Sequence, residues 1–266
     1  MNDRPTLGIT IIGHNEIDHL RDLLPALSWA DAVIYVDCES QDGSADYART
    51  QNCTVFERPN NPNLNINKSF AIEHAAQDWI FYLDPDERIS SDLAKEIQNM
   101  TNQSNEQVAF QLKRKNHYFG RWLRYGSQYP DIQLRLFKSG HGQFPQKHVH
   151  EKLEITGKIG MLNNDLLHFP YLTISQYIQK FNFYTSFEAQ FLYDYGKRPG
   201  FSLGTRYLIL KPLSRFIRRY FLKFGFRDGW PGFFAATFDA MNYLVRYFKL
   251  IEISRKVKTP ASNEIS

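Results

Sequence analysis

The sequence predicts an α/β protein with a mostly parallel sheet, helices on both faces of that sheet, and a C-terminal helical extension. In the first hundred residues, short apolar runs alternate with segments of helical spacing, which is typical of βαβ units. After Thr173 the spacing is helical and the segments are rich in aromatic residues. With 266 residues, of which 42% are hydrophobic, the chain can bury a full core.

The elements of the first half follow one another in strict alternation. We predict strands at Leu7–Ile12, Ala32–Val36, Thr54–Glu57 and Trp79–Leu83, and helices at Ile17–Leu27, Ser44–Gln51 and Ile66–Ala76. Trp79–Leu83 is bulky throughout and bounded by polar residues, as expected of a strand that is buried on both faces. Right-handed crossovers between parallel strands then place helices on both faces of the sheet.

Polar residues follow three of these strands at their carboxyl ends. His14, Asn15 and Glu16 follow the first strand, Asp37 ends the second, and Asp84, Asp86 and Glu87 follow the fourth. Open α/β sheets bind their ligands at the carboxyl ends of the strands. We therefore expect these side chains to converge on one edge of the sheet.

Asp84 and Asp86 form a candidate metal site. Pro85 lies between them, and its fixed φ holds both carboxylates on a rigid turn. One or two carboxylates together with substrate phosphates are the environment that Mg²⁺ or Mn²⁺ prefers, so the motif indicates a divalent metal that holds a diphosphate. The alternative is that these acids only begin the next helix, because Asp and Glu are favoured in a first turn.

The second half of the chain has a different pattern. Between Gln107 and Phe169 we predict three strands joined by long loops, at Gln107–Leu112, Gln133–Lys138 and Lys158–Leu162. We expect this part of the chain to close over the acceptor. Three helices are predicted after it, at Ile174–Tyr195, Lys211–Phe224 and Trp230–Ile253.

Composition also predicts the compartment. Cys38 and Cys53 form neither a metal-binding spacing nor a disulfide framework, which indicates a reducing environment. No export signal precedes the first strand, and no run of 18 uncharged apolar residues follows it. We expect a cytoplasmic protein that does not span a membrane.

Basic residues are concentrated near the C-terminus. Residues 201–258 contain twelve Lys and Arg against three Asp and Glu, a local net charge of +9. On a regular helix, Arg215, Arg218 and Arg219 share one face with Lys211 and Lys223, and an apolar face lies opposite. This pattern suits a helix that lies on an anionic membrane surface, although the apolar face could instead pack on the rest of the chain. Nucleic-acid binding is not expected, because the basic helices are rich in Phe and Tyr and carry no nucleic-acid motif.

Four stretches resemble, in order, the signatures of family 2 inverting glycosyltransferases. They are residues 11–16 (IIGHNE), 36–44 (VDCESQDGS), 67–71 (NKSFA) and 83–88 (LDPDER). The resemblance is closest to the lipopolysaccharide inner-core β-glucosyltransferase branch. It implies a GT-A fold with a Rossmann-like sheet and a nucleotide-diphosphate sugar as donor. The sequence departs from the family pattern at Glu39, where Gly is usual, at Pro85, where Ala is common, and at Ser69, where Asn often follows the Lys.

The resemblance also implies a domain organisation. It extends through His168 and gives a GT-A catalytic domain over residues 1–170. Residues 1–100 would form the nucleotide-sugar half of that domain, and residues 101–170 the acceptor and metal half. An amphipathic helical region would occupy residues 171–266.

Individual roles follow from the same resemblance. Asn15, Glu16, Asp37, Lys68 and Asp84 would bind the nucleotide sugar, Asp86 and His168 would hold the Mg²⁺ or Mn²⁺, Glu151 would be the catalytic base, and His150 and Arg135 would bind the acceptor or orient other groups. A positioned base of this kind contributes ~10²–10⁴-fold to a rate.

Each of these roles has a structural alternative. Asp37 could cap the loop before Ser40, Lys68 could be a solvated helix charge, and Glu16 could be a helix N-terminal charge. His168 could be a core histidine, and Glu151 could pair with a neighbouring Lys. His148 and His150 could bind zinc, although no Cys or H-E-x-x-H spacing accompanies them.

The sequence as a whole indicates a metal-dependent inverting hexosyltransferase. We expect glucose to pass from UDP-glucose to a lipid-linked saccharide such as the lipopolysaccharide inner core, at the inner face of the cytoplasmic membrane. The Q-x-x-R-W motif of processive synthases is absent, and residues 133–137 (QLRLF) stand in a related place, so single-sugar addition is predicted. Two alternatives remain. One is a nucleotidyltransferase that acts on a sugar phosphate, although the phosphate-binding loop expected of that class is not found after the first predicted strand. The other is a non-catalytic membrane-surface adaptor with a GT-A fold.

Overall fold

The computed structural model of the chain describes residues 4–103, 106–145 and 152–256. These residues form two compact units. The first contains the described residues up to Lys115 and the described residues within 131–168, and the second contains Asn116–Pro130 and the described residues from Phe169 onward. The predicted boundary at residue 170 between a catalytic and a helical region remains a prediction.

The first unit is organised around a sheet that begins as four parallel strands. They are β1 (Leu7–Gly13), β2 (Ala32–Asp37), β3 (Thr54–Glu57) and β4 (Trp79–Leu83), in the order β3-β2-β1-β4. Beyond β4 the sheet continues in the order β8, β6, β12 and β5, and β8 is antiparallel to β4. The later strands are β5 (Glu87–Arg88), β6 (Gln107–Tyr118), β7 (Arg121–Trp122), β8 (Asp131–Lys138), β9 (Gly142–Gln143), β10 (Glu154–Ile155), β11 (Lys158–Met161) and β12 (Leu166–Tyr171). The predicted mixed α/β class with a mostly parallel sheet is confirmed.

Helices cover this sheet much as the alternation predicts. They are α1 (Ile17–Leu23), which continues as a 3₁₀ turn at Leu24–Leu27, α2 (Ser44–Thr50), α3 (Leu64–Glu73) and α4 (Ser91–Asn102). Phe81 of β4 belongs to the same buried cluster as Leu20 and Leu23 of α1. Its neighbours Ile80 and Tyr82, on the opposite face of the strand, belong to a second cluster. The central strand is therefore buried on both faces.

The strand register determines which residues meet at the functional edge. Ile11 of β1 is level with Tyr35 of β2 and with Leu83 of β4, and Gly13 is level with Asp37. The residues that follow these strands consequently leave the sheet side by side. This register is the physical reason why polar residues distant in sequence converge.

The second unit is mainly helical. Its helices are α5 (Ile174–Asp194), α6 (Phe201–Thr205), α7 (Lys211–Phe216) and α8 (Gly229–Lys256). Thr173 caps α5 in a capping box with Gln176, which explains where this helix starts. Aromatic rings of α5 and α8 pack together, with the Tyr177 ring 4.9 Å from that of Phe234. No helix among the described residues is long and apolar enough to cross a membrane.

Residues 201–222 form one continuous helix, which we call the composite helix. In it, α6 and α7 alternate with π-helical segments at Arg206–Leu210 and Ile217–Leu222. A π turn contains more residues than the 3.6 of an α turn, so side chains rotate away from the positions that a regular helix predicts. The predicted single face of five basic residues is wrong: Arg215 and Arg219, four apart, share the side that contacts Asp239 of α8, whereas Arg218 lies off that side and is exposed.

Candidate active site

The loops after β1 and β2 are held together by hydrogen bonds at the carboxyl edge of the sheet. The backbone N–H of Asn15 donates to Oγ of Ser40 at 2.8 Å, and Oδ1 of Asn15 accepts from the N–H of Gln41 at 2.8 Å. Asn15 has a φ of 56°, in the left-handed region that Asn tolerates better than most residues. The N–H of Glu16 donates to Oγ of Ser44 at 3.0 Å. The polar residues after β1 thus fix the two loops in register.

Asp37 lies at the end of β2 and is almost completely buried. Its Oδ2 accepts the N–H of Ser40 at 2.9 Å, and the hydroxyl of Tyr35 donates to its Oδ1 at 3.3 Å. The capping alternative predicted for Asp37 is therefore present in the structure. Glu39, inside the same turn, has a φ of 58°. This left-handed conformation gives a physical reason for the Gly that the family usually has at that place.

An open cavity of about 480 Å³ adjoins this turn. Its lining includes Asp37, Ser40, Glu57, Arg58 and Pro59. The guanidinium of Arg58 lies 4.1 Å from the centre of the Phe70 ring, and its Nε donates to Oδ1 of Asn67 at 3.0 Å. The cavity therefore has a fixed cation at its wall beside the end of β2.

Asp84 is surrounded by two cations and a hydroxyl. Nζ of Lys68 lies 3.3 Å from its Oδ1, and the guanidinium of Arg135 donates to its Oδ2 at 2.8 Å. The hydroxyl of Tyr82 donates to Oδ1 at 2.9 Å and is also in contact with Nζ of Lys68. Lys68 is mostly buried, so it is not the solvated helix charge that the alternative interpretation describes.

These charges shift the pKa values of both partners. Burial alone would raise the pKa of the Asp84 carboxyl, but the positive charges of Lys68 and Arg135 outweigh burial and hold that pKa well below its usual range. Burial alone would lower the pKa of the Lys68 ammonium, but the Asp84 carboxylate outweighs it and raises that pKa. Both groups are therefore charged at neutral pH.

Glu87 lies beneath Asp84 and is fully buried. Its carboxylate pairs with the guanidinium groups of Arg135 and Arg114, the latter at 2.9 Å, and its Oε2 accepts the N–H of Asp84 at 3.0 Å. Arg114 also pairs with Asp131 at 2.8 Å. This chain of buried ion pairs connects the turn after β4 to β6 and β8, and it holds the Asp84 backbone in place.

Asp86 and His168 come from segments that strand pairing brings together. β12 pairs with β5 in antiparallel orientation, with His168 opposite Glu87, the residue that follows Asp86. Nε2 of His168 is 3.4 Å from Oδ1 of Asp86, and both side chains are largely but not completely buried. Two ligand atoms at this separation can bind one cation together.

The pair fits a divalent metal whose remaining positions are filled by substrate phosphate oxygens and water. Carboxylate oxygen suits Mg²⁺ and Mn²⁺, and imidazole nitrogen is a common ligand of divalent transition metals. Among residues 4–103, 106–145 and 152–256, no group of three or more His, Cys, Asp or Glu side chains is arranged to hold a metal. Asp86 and His168 are therefore the two candidate metal ligands that the described part of the protein brings together at this edge.

Several predicted positions lie outside the described residues. Glu151, the predicted base, and His150, the predicted acceptor or orienting residue, belong to this group, as does His148 of the zinc alternative. Their roles remain predictions.

Sequence reasoning missed part of the buried network. Glu87 carried a signal, because it is the third acid after β4, but nothing marked Arg114 as its partner. Arg135 was predicted, through the resemblance, to bind the acceptor or orient other groups, and the structure shows it pairing with both Asp84 and Glu87. Such partners depend on the register between β6, β8 and β4, which is not readable from any one motif.

The fold and this edge agree with a sequence comparison. The profile of the glycosyl transferase family 2 domain matches residues 9–155, more than half of the chain. The chain belongs to glycosyl transferase family 2 and is a glycosyltransferase. Family membership and the sheet order together confirm the predicted GT-A class.

Two relatives match over most of the chain. An uncharacterized glycosyltransferase of Rickettsia prowazekii (strain Madrid E) is 31% identical over 241 residues, which cover 85% of this chain and 80% of that protein. The lipopolysaccharide core biosynthesis glycosyltransferase LpsC of Rhizobium meliloti (strain 1021) is 29% identical over 256 residues, which cover 92% of each protein.

Solved structures match more distantly. A mannosyltransferase from Pyrobaculum calidifontis, in complex with GDP-Man and Mn²⁺, is 14% identical with a TM-score of 0.46, over 99% of this chain and 77% of that one. A glucosyl-3-phosphoglycerate synthase from Mycobacterium tuberculosis, in complex with Mn²⁺, UDP and glucosyl-3-phosphoglycerate, is 16% identical with a TM-score of 0.34, over 42% of this chain and 44% of that one.

Proposed function

We propose that this glycosyltransferase is metal-dependent and inverting, and that it transfers one hexose, glucose from UDP-glucose, to a lipid-linked saccharide such as the lipopolysaccharide inner core. The observation that carries the proposal is the Asp86–His168 pair at the edge where Lys68 and Asp84 also lie. A divalent metal held by this pair, together with the positive charge of Lys68, would stabilise a diphosphate leaving group.

Donor binding is assigned to the edge formed by the loops after β1, β2 and β4. The cavity beside Asp37 has the size and the polar lining to accept a nucleoside, and Arg58 and Lys68 supply positive charge for the diphosphate. Arg135 orients Asp84 in this proposal, because a fully buried guanidinium paired with two carboxylates has no surface left for an acceptor. Asn15 and Glu16 act mainly by shaping the loop that closes this edge.

The proposed reaction is a single displacement at the anomeric carbon. The acceptor hydroxyl attacks from the face opposite the diphosphate and loses its proton to Glu151 as the new glycosidic bond forms. A divalent metal at Asp86 and His168 would stabilise the negative charge that develops on the departing diphosphate. Lys68 adds a fixed positive charge close by, and the Asp84 carboxylate keeps Lys68 protonated throughout.

The acceptor and the location follow from the relatives and from the charge of the second unit. LpsC is named for lipopolysaccharide core biosynthesis, and we extend that class of acceptor to this chain. A lipid-linked acceptor requires the enzyme to work at a membrane surface, so we propose peripheral association with the anionic inner leaflet of the cytoplasmic membrane. The net charge of +9 in residues 201–258 favours that location.

A thermal-shift panel tests the proposal. UDP, UDP-glucose, GDP and ADP are each added with and without Mn²⁺ or Mg²⁺, because a ligand that binds the native state raises the apparent Tm by mass action. We expect UDP and UDP-glucose to raise the Tm only when metal is present. Absence of a response to every nucleotide would overturn the proposal. A response to GDP alone would indicate that the donor is a GDP-sugar and not UDP-glucose, and the proposed reaction class would stand.

A further inference from the structure

The composite helix exposes a straight row of apolar side chains. Ile209, Leu213, Ile217 and Phe221 are spaced four residues apart, and each is at least 40% exposed. Leu210 and Leu222 flank the row and are also exposed. We call these six residues the apolar ridge. Most exposed large apolar side chains of the described residues lie in the second unit, and this ridge is their most regular group.

The mixture of helix types explains why the row is straight. In a regular α-helix of 3.6 residues per turn, positions four apart drift steadily around the axis. π turns are wider, so alternating them with α6 and α7 brings the average repeat close to four residues. Side chains four apart then lie along one line parallel to the axis.

The opposite side of the composite helix is already packed within its own unit. Arg219 pairs with Asp239 of α8 at 2.7 Å, and its Nε donates to the carbonyl of Gly126 at 2.8 Å. The rings of Phe216 and Tyr220 pack on Phe233 of α8. The ridge is therefore the face of this helix that its neighbours leave uncovered.

The surroundings of the ridge are cationic. Residues 195–227 contain no Asp or Glu and include nine Lys and Arg. Two of these, Arg215 and Arg219, are paired with Asp239, but Arg206, Arg218, Lys223 and Arg227 are exposed. An apolar row with exposed cations beside it is complementary to a bilayer surface, where acyl chains lie beneath anionic headgroups.

We propose that the apolar ridge inserts into the interfacial region of an anionic bilayer, with Arg206, Arg218 and Lys223 contacting lipid phosphates. This inference rests on the proposed function only in that a lipid-linked acceptor brings the enzyme to such a surface. A second copy of the chain fits less well, because a twofold interface would place the same cationic patch against itself. A nucleic acid fits less well, because the ridge is mainly aliphatic and offers bases little to stack on.

Vesicle flotation tests the insertion. The wild-type full chain is mixed with vesicles of phosphatidylcholine alone or of phosphatidylcholine with phosphatidylglycerol, at low and high salt. We expect flotation with the anionic vesicles only, and retention of a measurable fraction at high salt, because inserted apolar surface is not screened by salt. Equal flotation with neutral vesicles would overturn the contribution of Arg206, Arg218 and Lys223, and complete release by salt would overturn insertion as the binding mode.

A triple variant with a matched control locates the contact. Leu213→Ser, Ile217→Ser and Phe221→Ser together should lower the partition coefficient by ~10-fold or more, since the insertion depends on buried apolar area. The control changes three equally exposed apolar residues of the first unit, Ile132→Ser, Ile159→Ser and Met161→Ser, and should float like the wild type. Equal flotation of the ridge variant would overturn the assignment, as would a wild-type dimer that the ridge variant converts to monomer.

Failure of the membrane contact and failure of the proposed function give different results. The UDP response with metal is measured for each variant, and no ridge residue belongs to the nucleotide edge. A retained UDP response with lost flotation locates the membrane contact, whereas retained flotation without any UDP response would contradict the donor assignment alone. Circular dichroism of the ridge variant confirms that its helices are intact.

Discussion

Nε2 of His168 lies 3.4 Å from Oδ1 of Asp86, although the two residues are far apart in the sequence. The contact exists because β12 pairs with β5 and places His168 opposite Glu87. Asp86 comes from the turn after the central strand β4, and His168 comes from β12, which lies between β6 and β5 in the sheet path. A change of one residue in this register would send the imidazole to the other face of the sheet.

Removal of either member of this pair should weaken metal-dependent nucleotide binding. We expect Asp86→Ala and His168→Ala each to abolish the Tm increase that UDP gives with Mn²⁺, because one protein ligand remains in place of two. Titration calorimetry of UDP in the presence of Mn²⁺ measures the affinity directly. His141→Ala serves as the control, since the His141 ring is hydrogen-bonded to the backbone carbonyl of Thr156 at 2.9 Å and lies in the turn after β8. If both site variants bind UDP with Mn²⁺ as tightly as the wild type does, the metal site lies elsewhere.

The predicted base should affect transfer without affecting donor binding. Glu151→Gln removes the proton acceptor and keeps the size of the side chain, so we expect the transfer rate to fall by at least ~10²-fold. The affinity for UDP with metal should stay close to that of the wild type. Initial rates with labelled UDP-glucose and the calorimetric affinity provide the two readouts. A transfer rate near that of the wild type would show that another residue accepts the proton.

The sequence was sufficient for the fold of the first unit and for the edge that carries the site. Hydrophobic runs such as Trp79–Leu83 define strands directly, and the acids that follow them must leave at the carboxyl end of a parallel sheet. The resemblance to family 2 predicts both Asp86 and His168 as metal ligands. The structure adds that they lie together, although their role is still a prediction.

Two features were beyond the sequence for physical reasons. The pairing of Glu87 with Arg135 and Arg114 depends on how antiparallel strands align, and single charged residues in β-like segments do not reveal their partners. The faces of the composite helix depend on π turns, which change the angle between successive side chains. A helical projection at 3.6 residues per turn therefore grouped Arg215 and Arg219 with the exposed Arg218.

Glu96 should make the stability of the first unit sensitive to acid. Its carboxylate accepts four hydrogen bonds at 2.7 to 3.0 Å from the backbone N–H and side-chain amide groups of Asn163 and Asn164. Burial raises the pKa of Glu96, but these hydrogen bonds outweigh it and lower the pKa below its ordinary value. The stabilisation is complete above the pKa of the unfolded state, about 4.3, and is lost as the pH falls through the lower pKa of the folded state.

Urea unfolding as a function of pH measures this effect. We expect Glu96→Gln to lower the free energy of unfolding at neutral pH and to flatten its decline below about pH 4.3, because the variant has no carboxylate to protonate. Glu73→Gln, which changes an exposed carboxylate on α3, should leave the pH profile unchanged. Profiles of the same slope for the wild type and Glu96→Gln would contradict the assignment.

Arg135 should be among the residues on which the stability of the first unit depends most. It is almost completely buried and pairs with both Asp84 and the fully buried Glu87. In Arg135→Met the side chain keeps an apolar stem of similar length, but two carboxylates lose a counter-charge that water cannot replace. Breaking a buried ion pair in this way costs ~3–5 kcal/mol. Urea unfolding should show a loss of that order.

A matched surface pair distinguishes this effect from the loss of any arginine. Arg4 pairs with Asp31 at 2.6 Å, but its side chain is 45% exposed, so water can solvate Asp31 when the guanidinium is removed. Arg4→Met should therefore cost only ~0–1 kcal/mol. Arg135→Lys keeps the charge but has a single donor group, and it should fall between the wild type and Arg135→Met. If Arg135→Met unfolds at the same urea concentration as Arg4→Met, Arg135 does not hold the turn after β4, and the position of Asp84 is fixed by its other partners, Lys68, Tyr82 and Glu87.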